Sequence, residues 1–158
     1  MRVYLSARMS RQEEMQDVRQ VLAPLVTVVA RWLDEPYIPV KKFEAVAHEI
    51  AFRDIRDIDG CDTLIRFSDV FDRKSMVPSN WITGGRMWET GYAYAKGKRI
   101  IVLGGHQTVF DWLPSIEHVK DVIELCLRLK KSAVGESAEL QHARQLCQMG
   151  PWNEKSSR

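Results

Sequence analysis

Cysteine is scarce in this chain: Cys61, Cys126 and Cys147 are an odd number, and no C-x-x-C pair occurs among them. This argues against a disulfide framework and a zinc knuckle, so no metal is expected, and a reducing, cytoplasmic setting fits. Long apolar runs are missing too. Arg, Asp or Lys interrupts every stretch before it nears the roughly 18 residues of a membrane span. The apolar start at 3–7 lacks the long core and small-residue cleavage site of a signal peptide. No charge of one sign dominates: 23 basic residues face 21 acidic ones, for a net charge of +2. That removes the electrostatic footprint expected of a protein that binds a nucleic-acid polymer, and leaves small molecules as the expected partners. What remains is 158 residues, 45% hydrophobic and 28% charged, which suits one soluble domain with one core.

The pattern along the chain alternates strand with helix. Residues 2–6 read as a short buried strand, and Ser10 with Glu13 has capping-box spacing for a helix to about Leu22. The β-branched run in 25–33 reads as a second strand, left through Pro36 and Pro39. Helical spacing over 40–59 leads to a third strand at 63–67, and 68–82 reads as a long loop. A helix over 86–96 and a strand over 99–103 follow, the latter ended by Gly104 and Gly105. The small residues Gly91, Ala93 and Ala95 suit close packing of that helix against another backbone. An amphipathic helix is predicted over 115–131 and weaker helical patterning over 136–147, before a polar tail with little apolar content. The expected domain is 1–132, with 133–158 a C-terminal helical extension and tail. The alternation predicts a flavodoxin- or Rossmann-like α/β fold, with a parallel sheet of about four or five strands and helices on both faces. Ligands of such sheets bind at the carboxyl ends of the strands, so 6–10, 68–86 and 104–114 are the candidate loops.

Two carboxylates stand out. Asp54 is four residues after Ile50 and four before Ile58, on the helical stripe of Phe43 and Ala47 that faces the core. A buried unpaired carboxylate is costly, which points to pairing or function; if the helix ends earlier, Asp54 lies in solvent or pairs with Arg53 or Arg56. Asp57 is a candidate partner for it or a surface charge. Glu89 reads as a first-turn residue of the helix after Thr83-Gly84-Gly85-Arg86, where unpaired amides and the helix dipole keep it ionised. Many first-turn glutamates do no more than complement that dipole.

Val3-Tyr4-Leu5-Ser6, then Asp54 and Asp57 ahead of Cys61-Asp62, then Gly84-Gly85-Arg86 with Glu89, Gly91, Ala93, Ala95 and Gly97-Lys98 together resemble the nucleoside 2-deoxyribosyltransferase family, which includes deoxynucleoside 5'-monophosphate N-glycosidases. The resemblance runs over about 1–114. It implies that Glu89 is the nucleophile, that Asp54 assists proton transfer, and that Tyr4 borders the sugar and the nucleophile. Ser6, Arg8, Thr83, Gly84, Gly85, Asp57, Asp111 and Trp88 are the candidate substrate-binding residues, and no cofactor is expected. Thr83 stands six residues before the glutamate, where the nucleoside transferases carry aspartate and the monophosphate glycosidases serine, so a hydroxyl there leans toward a phosphate. The first loop, Ser6-Ala7-Arg8-Met9-Ser10-Arg11, is not glycine-rich, although Arg8, Ser10, Arg11 and a helix N-terminus could together hold an anion. Asp111 lies near the position where a neighbouring subunit of the family reaches the 5' end of the sugar, and a carboxylate there repels phosphate.

The implied reaction is attack of Glu89 on the anomeric carbon, loss of the base, and resolution of the glycosyl ester by water or a second base. Trp32, Trp81 and Trp88 are candidates to stack a base. Gly84-Gly85-x-x-x-Glu89 is also similar to part of the motif of the lysine-decarboxylase-like phosphoribohydrolases, without its Pro, third Gly and Thr. A nucleotide-binding sensor without turnover is the non-enzymatic alternative. Val109, Phe110, Trp112 and Leu113 surround Asp111 in an apolar cluster that is costly to leave in water. Either the chain's own last helix covers it, or a second subunit does, in a homodimer or higher homo-oligomer with shared sites.

Overall fold

The computed structural model describes residues 1–36, 40–68 and 84–134. Five parallel strands form one sheet in the order β2-β1-β3-β4-β5: β1 Arg2–Ser6, β2 Thr27–Val28, β3 Thr63–Phe67, β4 Arg99–Leu103 and β5 Ile116–Val119. The helices are α1 Gln12–Leu22, α2 Val40–Asp59, α3 Gly84–Ala95 and α4 Val122–Val134. The central strands β1, β3 and β4 are buried nearly throughout, as expected of parallel strands covered on both faces. Their alternating side chains build a core with Val3, Leu5, Ile65 and Ile101 at its centre.

Several local expectations change. Ser10 does not cap a helix: a one-turn 3-10 helix at Met9–Arg11 precedes α1, and Arg11 turns instead to Glu14 through two hydrogen bonds of 2.7 and 2.5 Å. The second strand is two residues long rather than spanning 25–33. Beyond it the Val29 amide still donates to the Val3 carbonyl at 2.9 Å; Asp57 then takes both the Arg31 amide (3.0 Å) and the Arg31 Nε–H (2.7 Å), while Trp32 turns inward and donates its indole N–H to the Leu5 carbonyl at 2.8 Å. The region predicted as one helix over 115–131 is strand β5 followed by α4. Ile116, Val119 and Val122 recur at helical spacing, but pairing of β5 with β4 decides the outcome. Helix α4 also runs to Val134, past the helix end expected at 131. Of the small residues on α3, Ala93 is buried, whereas Gly91 and Ala95 face outward. The long loop at 68–82 beyond Ser68, the helical patterning at 136–147 and the tail lie outside the described residues.

The loops after β3 and β4 are joined at the sheet's carboxyl edge. Gly104 has φ +103°, and a Cβ there would come within 3.1 Å of the Ser68 Cβ. The Ser68 hydroxyl donates to the Gly105 carbonyl at 2.7 Å. A glycine is therefore required both by conformation and by close approach.

Candidate active site

Tyr4 and Ser6 are two residues apart on β1, so their side chains leave the same face of the sheet. Helix α3 packs on β1, β3 and β4, and brings Glu89 to both. The Tyr4 hydroxyl donates to Glu89 Oε1 at 2.9 Å and the Ser6 hydroxyl to Oε2 at 2.6 Å. Each carboxylate oxygen is thus held by a neutral donor from a rigid central strand. Tyr4 is fully buried and Ser6 nearly so.

Burial is the strongest influence on Glu89 and lifts its pKa to about 7, against the two hydrogen bonds, which favour the ion. Asp54 raises it further and Arg86 lowers it. Glu89 is also not in the first turn, since α3 begins at Gly84. The expectation that the helix dipole keeps it ionised gives way to a desolvated carboxyl balanced near neutrality. Tyr4 moves well above the ordinary phenol range because of burial and then the Glu89 charge, which keeps it a proton donor in its hydrogen bond.

Asp54 lies on α2 between half-buried Ile50 and buried Ile58, while the side chain of Phe43, the first member of the expected stripe, lies outside the described residues. Burial raises its pKa, and Arg53 opposes that through charge and a 3.2 Å hydrogen bond. Arg53 is itself paired with Glu35. Asp54 is close enough to Tyr4 and Glu89 for its charge to be felt at both. Asp57 acts as the clamp on Arg31 described above, and its charge also raises Asp54.

The remaining candidates divide. Gly84 and Gly85 open α3, are exposed, and a Cβ at either would meet nothing within 4 Å, so packing among the described residues does not call for glycine there. Arg8 is half-buried in the loop after β1, and Arg11 is engaged by Glu14, by the Ser68 carbonyl at 3.1 Å and by the face of Phe67. Trp32 is a core residue. Trp88 is 53% exposed and its ring lies flat on Tyr92, centroids 5.2 Å apart. Thr83 and Trp81 lie outside the described residues.

Asp111 departs most from expectation. It is buried, its carboxylate is paired with Arg66 at 2.6 Å, and it caps its own loop by accepting from the Gln107 and Thr108 amides at 2.7 and 3.1 Å. A carboxylate so occupied is committed to partners within its own chain. These partners outweigh burial and bring its pKa down to about 2. Around it Val109, Phe110 and Trp112 are 79%, 68% and 73% exposed, whereas Leu113 packs against the core. Sequence reasoning missed Arg66; its signal was a cation inside the apolar run Leu64-Ile65-Arg66-Phe67.

Among the described residues no helix is long and apolar enough to cross a membrane, and no group of His, Cys, Asp and Glu could hold a metal ion. No protein-family model matches the sequence, and no curated protein matches it. Solved structures do match. A CMP N-glycosidase of Clostridium botulinum is 19% identical with a TM-score of 0.54, over 82% of this chain and 99% of that one. A 2-deoxyribosyltransferase of Bacillus psychrosaccharolyticus is 18% identical with a TM-score of 0.57, over 80% of this chain and 90% of that one. The chain therefore shares the fold of a CMP N-glycosidase and of a 2-deoxyribosyltransferase, in agreement with the family resemblance carried by its motifs.

Proposed function

We propose that this chain belongs to the nucleoside 2-deoxyribosyltransferase family and cleaves the N-glycosidic bond of 2'-deoxyribonucleosides or their 5'-monophosphates. The observation that carries this reading is the grip of Tyr4 and Ser6 on the two oxygens of Glu89 at the carboxyl edge of the sheet. In its ionised form Glu89 attacks the anomeric carbon; the bond to the base nitrogen breaks, and its electron pair leaves with the base. The ester oxygen stays on Glu89 while Tyr4 and Ser6 hold the carboxyl in register, so little reorganisation accompanies the step. Asp54, its pKa raised by burial, carries the proton exchanged with the base. Water or a second base then takes the sugar and frees Glu89.

The working unit in this reading is cytoplasmic and at least dimeric, with the exposed Val109, Phe110 and Trp112 covered by a neighbour. Asp111 takes no part in that contact, being committed to Arg66.

A second reading is supported by the likeness to a CMP N-glycosidase, whose named substrate is a ribonucleotide. Incubation with ribo- and deoxyribonucleosides and their 5'-monophosphates, with and without an acceptor base, separates the two by the base released on chromatography. Release from deoxy substrates supports the main reading, and preference for ribonucleotides supports the second. No release from any of them leaves a nucleotide-binding sensor.

A further inference from the structure

Strand pairing aligns Ser6 of β1, Arg66 of β3, Val102 of β4 and His118 of β5 in one row across the sheet. Three of the four are polar. Ser6 holds Glu89. Arg66, 1% exposed, reaches two other elements at once: its Nη1 lies 3.3 Å from the Met87 sulfur on α3, two residues before Glu89, and its Nη2 lies 2.6 Å from the Asp111 carboxylate. His118 grips the same residue, its Nε2–H donating to the Asp111 carbonyl at 2.7 Å. Its ring stacks on His106, which stacks in turn on Trp112, each pair of centroids 4.0 Å apart. The loop at 106–113 is thus held from beneath through Asp111 by two members of the row, and a third member holds Glu89.

We propose that Arg66, clamped between Asp111 and Met87, is a positioning residue that locks helix α3, and with it Glu89, to the 106–113 loop. A cation inside a fully buried strand is unfavourable unless its charge is answered, and an apolar pair of similar volume commonly serves the core as well or better. Stability alone therefore does not call for this pair. What an apolar pair cannot do is fix the loop and the helix to one planar group in a set geometry. The effect on turnover rests on the proposed function; the mechanical lock does not.

The test uses the full chain, wild type against Arg66→Met/Asp111→Leu and Arg66→Lys. Base release is measured well below the melting temperature, and the imidazole proton signals of His106 are followed by NMR. In the wild type those signals are expected upfield, because the ring lies between Trp112 and His118. The folded double variant is expected to lose about 10–100-fold in kcat with a smaller change in KM, as for a misplaced reacting group, and to lose the His106 upfield shift. Arg66→Lys keeps the charge paired and the fold intact, but an ammonium cannot span both partners, so its kcat is expected to fall between the other two. Wild-type kcat in Arg66→Lys, or in a folded double variant, overturns the positioning role, and unchanged His106 signals in the double variant overturn the lock. Wild-type protein that releases no base defeats the proposed function instead, while the His106 signals still decide the lock.

Discussion

Two carboxylates brought inward at the same edge of the sheet meet opposite treatment. Glu89 is held by two hydroxyls and sits near pH 7; Asp111 is held by a guanidinium and two backbone amides and sits near pH 2. Neutral donors orient Glu89 without cancelling its desolvation, and so leave a group poised to lose or keep its proton. A full countercharge and convergent amides spend the other carboxylate on structure. Burial alone does not set the pKa of a carboxyl here, whereas the identity of its partner does.

Replacement of each carboxylate by alanine should break the comparison most sharply. Glu89→Ala is expected to lower turnover by about three orders of magnitude or more while the chain stays folded, read by base release and a circular-dichroism melt. Asp111→Ala is expected to act the other way round. It leaves Arg66 buried and unpaired and should cost about 3–5 kcal/mol in denaturant unfolding, with any loss of turnover following the loss of folded protein or of the lock.

A smaller effect is expected at Asp54, whose environment lies between the two: burial raises its pKa, and Arg53 pulls it back. Asp54→Asn keeps the shape but cannot exchange a proton, so turnover should fall about 10²-fold with an unchanged melting temperature. Unchanged turnover with a lowered melting temperature would make Asp54 structural.

The smallest effect concerns stability and pH, where the two carboxylates should have opposite signs. Glu89 binds its proton more tightly folded than unfolded, so the chain loses stability from this group as pH rises from about 4.5 to 7. Glu89→Gln removes that loss and should gain on the order of 2 kcal/mol at pH 8 relative to wild type, but little at pH 4. Asp111 binds its proton more weakly folded, so its contribution is present above about pH 3.8 and is lost as pH falls toward 2. Urea unfolding at pH 4 and 8 checks the first statement. An equal effect of Glu89→Gln at both pH values would mean that its carboxyl is not perturbed.

How much of this the amino-acid order reveals depends on whether local pattern or long-range pairing decides. Strands β1, β3 and β4 are legible because a doubly covered parallel strand must be a short apolar run. Tyr4 and Ser6 share a face by alternation, and the glycine-bounded helix brings in Glu89. Strand β5 is illegible because Ile116 and Val119 fit a helix as well as a strand, and only β4 chooses between them. The turn that follows β2 is held at Arg31 by Asp57, a residue from a distant helix. Asp111 misleads for a related reason. In sequence it is a charge amid exposed apolar residues, and its partner Arg66 is 45 residues away, so neither residue explains itself alone.

In the proposed reaction Glu89 becomes covalently bonded to the sugar. Turnover of a cleavable deoxynucleoside or its monophosphate, quenched in acid within the first cycles and followed by peptide mass mapping, tests it directly. A mass increment of the deoxyribosyl group or its phosphate is expected on the peptide bearing Glu89, absent from Glu89→Ala. Base release at full rate with no adduct under conditions that trap such esters, or an adduct on another residue, would contradict it.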